Sequence, residues 1–99
     1  MSGDAGESPR VETAVTVRYW AAARSATGVT EDRFEFDGPT TLDEVVRRVH
    51  EAHPTSRVAS VIGVCSVLVG DRPAGGRDPK TVVVEPGESV EFLPPFAGG

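Results

Sequence analysis

The chain has 99 residues and carries 10 Lys and Arg against 15 Asp and Glu, which gives a formal charge of −5. This length allows one domain with a modest core, so no bound cofactor is expected. A single cysteine excludes an intramolecular disulfide framework and a cysteine-based zinc site, and we expect no metal. The acidic balance argues against a nucleic-acid partner, because phosphate binding needs clustered Lys and Arg.

Residues 1–12 are rich in Gly, Ser, Glu and Asp and show no apolar periodicity. This composition predicts a disordered leader. The segment also lacks the basic and apolar regions of a secretion signal. No apolar run in the sequence approaches the ~18 residues of a membrane span. We therefore expect a cytoplasmic protein that does not contact a membrane.

The first elements are predicted by alternation and by helix-stop residues. Apolar and polar residues alternate in 14–20, which is typical of a strand. Residues 21–27 have high helix propensity and are followed by Gly28, a natural helix end. Residues 33–37 alternate again and predict a second strand, with its two phenylalanines on one face.

The clearest predicted helix follows the second strand. Thr41 and Glu44 form a capping box at its start. An apolar stripe with helical spacing comes next, formed by Leu42, Val45, Val46 and Val49. Pro54 predicts that the helix ends near His53.

The remaining pattern is mainly that of strands. Residues 56–63 are ambiguous and allow a short helical turn. Strands are predicted at 64–69, at 81–84 and at 89–93, with a loop at 72–80. One amphipathic helix and several strands predict an α+β domain over residues 13–93, with a mixed sheet of four to five strands covered by one main helix.

The last six residues read Pro-Pro-Phe-Ala-Gly-Gly. Pro94 and Pro95 cannot donate ladder hydrogen bonds, so the last strand must stop there and residues 94–99 form an extended tail. Gly98 and Gly99 lack a Cβ, which lets the backbone enter a channel too narrow for side chains. This tail is predicted to insert into a partner.

A carboxylate at Gly99 is ionised at neutral pH and is a poor electrophile. Chemistry at this position therefore needs activation by a partner that consumes ATP. The chain itself has no phosphate-binding loop of the Walker type, since Gly75 and Gly76 lack the required spacing.

The element order, the ending Pro-Pro-Phe-Ala-Gly-Gly and the segment Val17–Arg24 together resemble the ubiquitin-like β-grasp sulfur carriers. The resemblance covers residues 13–99 and is strongest to the branch of molybdopterin synthase small subunits. Trp20 stands where that branch commonly has Phe, and Gly87-Glu88 stands where it often has Gly-Asp.

The resemblance implies that an E1-like enzyme adenylates Gly99 and that a sulfur donor then converts it to a thiocarboxylate. It also implies that Gly98 and Gly99 enter the active site of a large catalytic subunit of molybdopterin synthase. The chain would then be non-catalytic alone and would donate sulfur for the dithiolene of molybdopterin. The residues expected to dock on the partner are Leu93, Pro94, Pro95, Phe96 and Ala97.

Several alternatives remain open from the sequence. The carrier could serve thiamine thiazole or cysteine synthesis, act as a ubiquitin-like protein modifier, or be an interaction domain with an inert tail. Phe96 could dock on a partner or fold back on its own sheet. Cys65 is expected to be a buried structural thiol, and His50 and His53 are expected to be exposed polar residues.

Overall fold

The computed structural model describes residues 13–95, which form an α+β domain with helices packed against a mixed sheet. The strands and helices, in chain order, are β1 (Ala14–Tyr19), α1 (Ala21–Thr27), β2 (Glu31–Glu35), β3 (Thr40–Thr41), α2 (Leu42–Ala52), α3 (Ser56–Val64), β4 (Ser66–Val69), β5 (Arg72–Pro73), β6 (Val83–Val84) and β7 (Ser89–Leu93). A short 3₁₀ turn spans Pro79–Thr81.

The main sheet has five strands in the order β2-β1-β7-β4-β5. The first and last strands, β1 and β7, are parallel neighbours, and the other pairs in this sheet are antiparallel. Parallel strands have their carboxyl ends at the same edge. Trp20, which follows β1, and Pro94, which follows β7, therefore lie at the same end of the sheet.

The core lies between one face of this sheet and the helices. Val17 pairs with Val90 and Tyr19 pairs with Phe92, and all four side chains are at most 2% exposed. Helix α2 adds the buried side chains of Leu42, Val45 and Val49, which confirms the predicted apolar stripe. Its start is capped by Thr41, whose side chain accepts a hydrogen bond from the Glu44 amide at 3.2 Å, while the Glu44 carboxylate pairs with Arg47 instead of completing the predicted box.

Several elements differ from the prediction, among them β5 at Arg72–Pro73, which lies in the predicted loop, and β4, which starts at Ser66 rather than at residue 64 because α3 continues to Val64. The ambiguous segment is the nine-residue helix α3, which buries Val58 and Ile62 and is capped by the Thr55 hydroxyl. Helix α2 remains the main helix over the sheet, and α3 adds its buried side chains to the same core. The second strand starts at Glu31, earlier than predicted, because Glu31 pairs with Arg18 of β1.

The predicted short strand at 81–84 does not join the main sheet. Only Val83–Val84 is extended, and it pairs antiparallel with Thr40–Thr41 in a separate two-stranded sheet. A hydrogen bond from the Leu42 amide to the Val82 carbonyl, at 2.9 Å, ties this small sheet to the start of α2. The short strand therefore fixes the helix rather than extending the sheet.

A tight turn precedes β7. Gly87 has φ of 94°, and the Glu88 amide donates to the Glu85 carbonyl at 3.0 Å, as in a type II turn. Of the predicted domain segments, the leader at 1–12 and residues 96–99 of the tail lie outside the described residues. Among helices within 13–95, none is both long enough and apolar enough to cross a membrane.

Candidate functional site

The end of the sheet where β1 and β7 finish is where the chain leaves the fold. The Trp20 amide donates a hydrogen bond to the Phe92 carbonyl at 3.0 Å, so the two strands stay paired up to this edge. Pro94 and Pro95 follow Leu93 and have no amide hydrogen to continue the ladder. Both prolines are exposed, and the backbone therefore departs from the sheet at a fixed point.

An apolar surface surrounds this departure point. Trp20 is 43% exposed, and its indole Nε1 donates to Glu91 Oε1 at 2.9 Å. Glu91 lies on the outer face of the sheet, as does Leu93 two residues later, so the indole is held on that face. We call Trp20, Leu93, Pro94 and Pro95 the exit patch.

Elsewhere the outer face carries several charged side chains, beside the half-buried Leu68 that pairs with Glu91. Glu31 lies 3.8 Å from Arg18 and 3.9 Å from Arg33, across β1 and β2. Near the opposite end of β7, Arg72 lies 3.2 Å from Glu88. Such exposed ion pairs add little stability. They do make the apolar exit patch distinct from the surface beside it.

The predicted site residues fall into two groups. Leu93, Pro94 and Pro95 are at the exit, with Leu93 half-buried and the prolines exposed, so they are accessible to a partner. Phe96, Ala97, Gly98 and Gly99 lie outside the described residues, and their roles stay predictions.

Sequence reasoning missed the role of Trp20. It registered this residue only as a departure from the usual Phe, whereas the indole supplies the largest exposed aromatic surface in residues 13–95. Glu91 accepts the hydrogen bond that fixes the indole. An exposed Trp directly after an alternating strand was the available signal, since Trp is enriched at protein interfaces.

A polar cluster lies just inside the exit, where β1, β2 and the end of α2 meet. The Tyr19 hydroxyl donates to Asp32 Oδ2 at 2.8 Å, and His53 Nε2 lies 2.7 Å from the same oxygen. The Tyr19 ring stacks on Phe92 with centroids 6.1 Å apart. Burial, and then the hydrogen bond and charge of Asp32, raise the pKa of Tyr19 far above its ordinary value.

This cluster corrects the expectation for one histidine. The His53 side chain is only 16% exposed and is engaged with Asp32, rather than being an exposed polar residue. His50 is also half-buried. Because the Tyr19 hydroxyl stays protonated at neutral pH and is used in the cluster, we assign the cluster to holding the sheet end in place.

Cys65, which lies between the end of α3 and the start of β4, is half-buried rather than fully buried. Burial raises the pKa of its thiol, so the reactive thiolate is scarce at neutral pH. The expectation of a fully buried thiol is therefore wrong, and its structural role stays a prediction. Within residues 13–95, no three His, Cys, Asp or Glu side chains are grouped so that they could hold a metal ion.

The fold and the exit geometry define the chain as a ubiquitin-like β-grasp protein. The solved structure of small archaeal modifier protein 1 from Haloferax volcanii superposes with a TM-score of 0.68 at 19% identity, covering 85% of this chain and 99% of that one. A second solved structure, from Helicobacter pylori, is a complex of subunits 1 and 2 of molybdopterin-converting factor. It superposes with a TM-score of 0.58 at 20% identity, covering 87% of this chain and 99% of that one.

Sequence comparison identifies the family. Residues 17–99 match the model of the ThiS family, and the chain belongs to that family. A curated relative, the molybdopterin synthase sulfur carrier subunit of Chlamydomonas reinhardtii, is 26% identical over 85 residues, which are 86% of this chain and 98% of the relative. The predicted family resemblance and the β-grasp fold are both confirmed.

Proposed function

We propose that this protein is a sulfur carrier that acts in the cytoplasm as the small subunit of molybdopterin synthase. The observation that carries the proposal is the exit geometry. The central strand β7 ends at Pro94 and Pro95, beside an exposed apolar patch, and the next residues in the sequence are Phe-Ala-Gly-Gly. Membership of the ThiS family and the name of the Chlamydomonas relative support this reading.

The proposed chemistry is carried by the Gly99 carboxyl group. An E1-like enzyme joins one carboxylate oxygen to the α-phosphorus of ATP, and pyrophosphate leaves. A persulfide sulfur of the donor then attacks the carbonyl carbon and displaces AMP, which gives an acyl disulfide. A second thiolate attacks the donor's sulfur in that bond, so that the thiocarboxylate leaves and the donor is left as a disulfide. This activation is needed because a carboxylate is ionised at neutral pH and resists nucleophilic attack.

The proposed next step takes place in the large catalytic subunit. Gly98 and Gly99 enter its active site, and the thiocarboxylate sulfur displaces an oxygen substituent from a carbon of the pyranopterin precursor. Hydrolysis of the resulting thioester leaves the sulfur on the pterin and returns Gly99 as a carboxylate. Tethering the sulfur to a docked domain raises its effective concentration at the reacting carbon. In this scheme the protein binds no cofactor, consumes no ATP itself and supplies no acid or base.

Docking is assigned to the exit patch. Tryptophan anchors commonly dominate binding energy at protein interfaces. Trp20 is already held in one orientation by Glu91, so little side-chain freedom is lost when a partner covers it. The chain's net charge of −5 fits a partner whose surface around the docking site is basic.

A second candidate function uses the same tail differently. The structural likeness to small archaeal modifier protein 1 favours a ubiquitin-like modifier, in which activated Gly99 is joined to a lysine of another protein. Both functions begin with adenylation and separate only at the group that attacks the carbonyl. Sulfur attack gives a thiocarboxylate, whereas lysine attack gives an isopeptide bond.

Intact mass spectrometry tests the proposal. After incubation with ATP, an activating enzyme and a sulfur source, we expect a gain of about 16 Da, which is the exchange of one carboxylate oxygen for sulfur. The matched control lacks Gly99 and should show no gain while keeping the wild-type melting temperature. Absence of any gain with every cognate activator would contradict the proposal, and a ladder of isopeptide conjugates would favour the modifier.

A further inference from the structure

An apolar groove of about 300 Å³ opens on the helix side of the domain. It lies between α2, α3, β4 and the segment that follows β5. Its lining is mostly apolar and includes Val46, Ile62, Val67, Ala74 and Phe92. The proposed function does not use this groove, which lies on the opposite face of the sheet from the outward-pointing Glu91 and Leu93.

The groove borders the point where the chain leaves the sheet. Leu93 is paired with Ser66, so the next residues on the two strands are Pro94 and Cys65. Cys65 is one of the residues that line the groove. The wall of the groove that Cys65 forms therefore lies beside Pro94, the first proline of the tail.

One side chain of the remaining tail suits this cavity. Four residues follow Pro95, namely Phe96, Ala97, Gly98 and Gly99, and only Phe96 has a large apolar side chain. Consecutive Cα atoms are about 3.8 Å apart, so Phe96 cannot stray far from the exit. An aromatic side chain can bury about 150–250 Å² of surface, which makes an adjacent apolar groove a favourable site.

We propose that Phe96 seats in this groove and holds the tail against its own domain until a partner takes it. The contact regulates the site assigned above, and in that respect it rests on the proposed function. Burial of the ring is opposed by the entropy lost when the tail is ordered, so the two terms nearly balance. The docked and released tails therefore coexist, and a partner that binds the exit patch and Gly99 shifts the balance to release.

Alkylation of Cys65 by a neutral maleimide measures occupancy of the groove. Cys65 is the only thiol of the chain, and it lines the cavity. We expect Phe96→Ala, and a chain ending at Pro95, to react about threefold faster than the full chain, because the ring no longer shields the thiol. Ala97→Ser, which changes the tail without removing its ring, is the matched control and should react at the wild-type rate.

Equal rates in the full chain and in both Phe96-lacking variants would overturn the proposal. A shielding effect that grows with protein concentration would also overturn it, because the occupant would then be the tail of a second copy. Melting temperatures equal to wild type would exclude unfolding as the cause of faster alkylation. The assay needs neither ATP nor a partner, so its failure would leave the sulfur-carrier function standing, and failure of thiocarboxylation would leave the groove contact standing.

Discussion

The two faces of the main sheet differ in the side chains they carry and in what those side chains contact. On the inner face, Val15, Val17, Val90 and Phe92 are fully buried against the helices. The outer face carries charged pairs such as Arg18 with Glu31, and its most exposed large apolar side chain is Trp20, at the exit. Strand alternation allows this division, because successive residues of β1 and β7 point to opposite faces.

This contrast indicates that folding and recognition can be changed separately. Phe92 and Leu93 are neighbours in the chain, yet one belongs to the core and the other to the exit patch. Substitutions on the inner face should lower the free energy of unfolding. Substitutions on the outer face should alter partner binding and leave the fold intact.

The largest expected effect is on the inner face. Phe92→Ala removes a fully buried ring that stacks on Tyr19, so we expect a loss of about 3–5 kcal/mol in the free energy of unfolding. Urea denaturation measures it. The control is Val83→Ala, since Val83 is 51% exposed in the small second sheet, and its change should stay within about 0.5 kcal/mol. Similar losses in both variants would break the distinction between core and surface.

A smaller effect is expected on the outer face. Trp20→Ala should weaken binding to the large subunit by about 2 kcal/mol, or about thirtyfold, because it removes the exposed aromatic anchor. Isothermal titration calorimetry gives the affinity. Unfolding free energy should change by less than about 1 kcal/mol, since only an exposed hydrogen bond to Glu91 is lost. Unchanged affinity would show that Trp20 does not contribute to docking.

The smallest expected effect concerns Tyr19, the last residue of β1, next to the exit. Tyr19→Phe deletes the hydroxyl that donates to Asp32 and should cost about 1 kcal/mol at neutral pH. The pH dependence of the free energy of unfolding tests the role of this hydroxyl more specifically. The pKa of Tyr19 is raised in the fold, so above about pH 10 the unfolded chain releases the proton while the folded chain retains it.

Wild-type stability should therefore be constant, as far as Tyr19 is concerned, below about pH 10 and fall as the pH rises further towards the folded pKa. Tyr19→Phe should lack this part of the decline. Urea midpoints of the two proteins, compared from neutral pH to about pH 11, measure the difference. Parallel decline in both would mean that Tyr19 does not titrate as its burial requires.

Most of the helices and strands could be predicted from local sequence patterns. Alternation located β1 and β7, and the Thr41 capping box located the start of α2. Helix α3 was left open because nine residues with several valines and a glycine fit a strand or a helix equally well. Its Thr55 cap is the local feature that could have decided the matter.

Long-range pairing could not be obtained from such patterns. The parallel neighbours β1 and β7 lie at opposite ends of the described sequence, and the β-grasp order came only from the family resemblance. The same limit explains His53, whose partner Asp32 is 21 positions away. The tail motif could be recognised in the sequence. The position of the exposed Trp20 indole beside it could not, because it depends on β1 and β7 ending at the same edge of the sheet.

Sulfur transfer itself is the most direct test of the proposed function. The protein would be converted to its Gly99 thiocarboxylate with labelled sulfur, mixed in excess over the pyranopterin precursor with the large subunit, because each dithiolene needs two sulfur atoms, and followed until the precursor is consumed. We expect the label to leave the protein and appear in the dithiolene product, with a chain lacking Gly99 giving none. Label that stays on the protein, or protein that is consumed into conjugates through isopeptide bonds, would contradict the account.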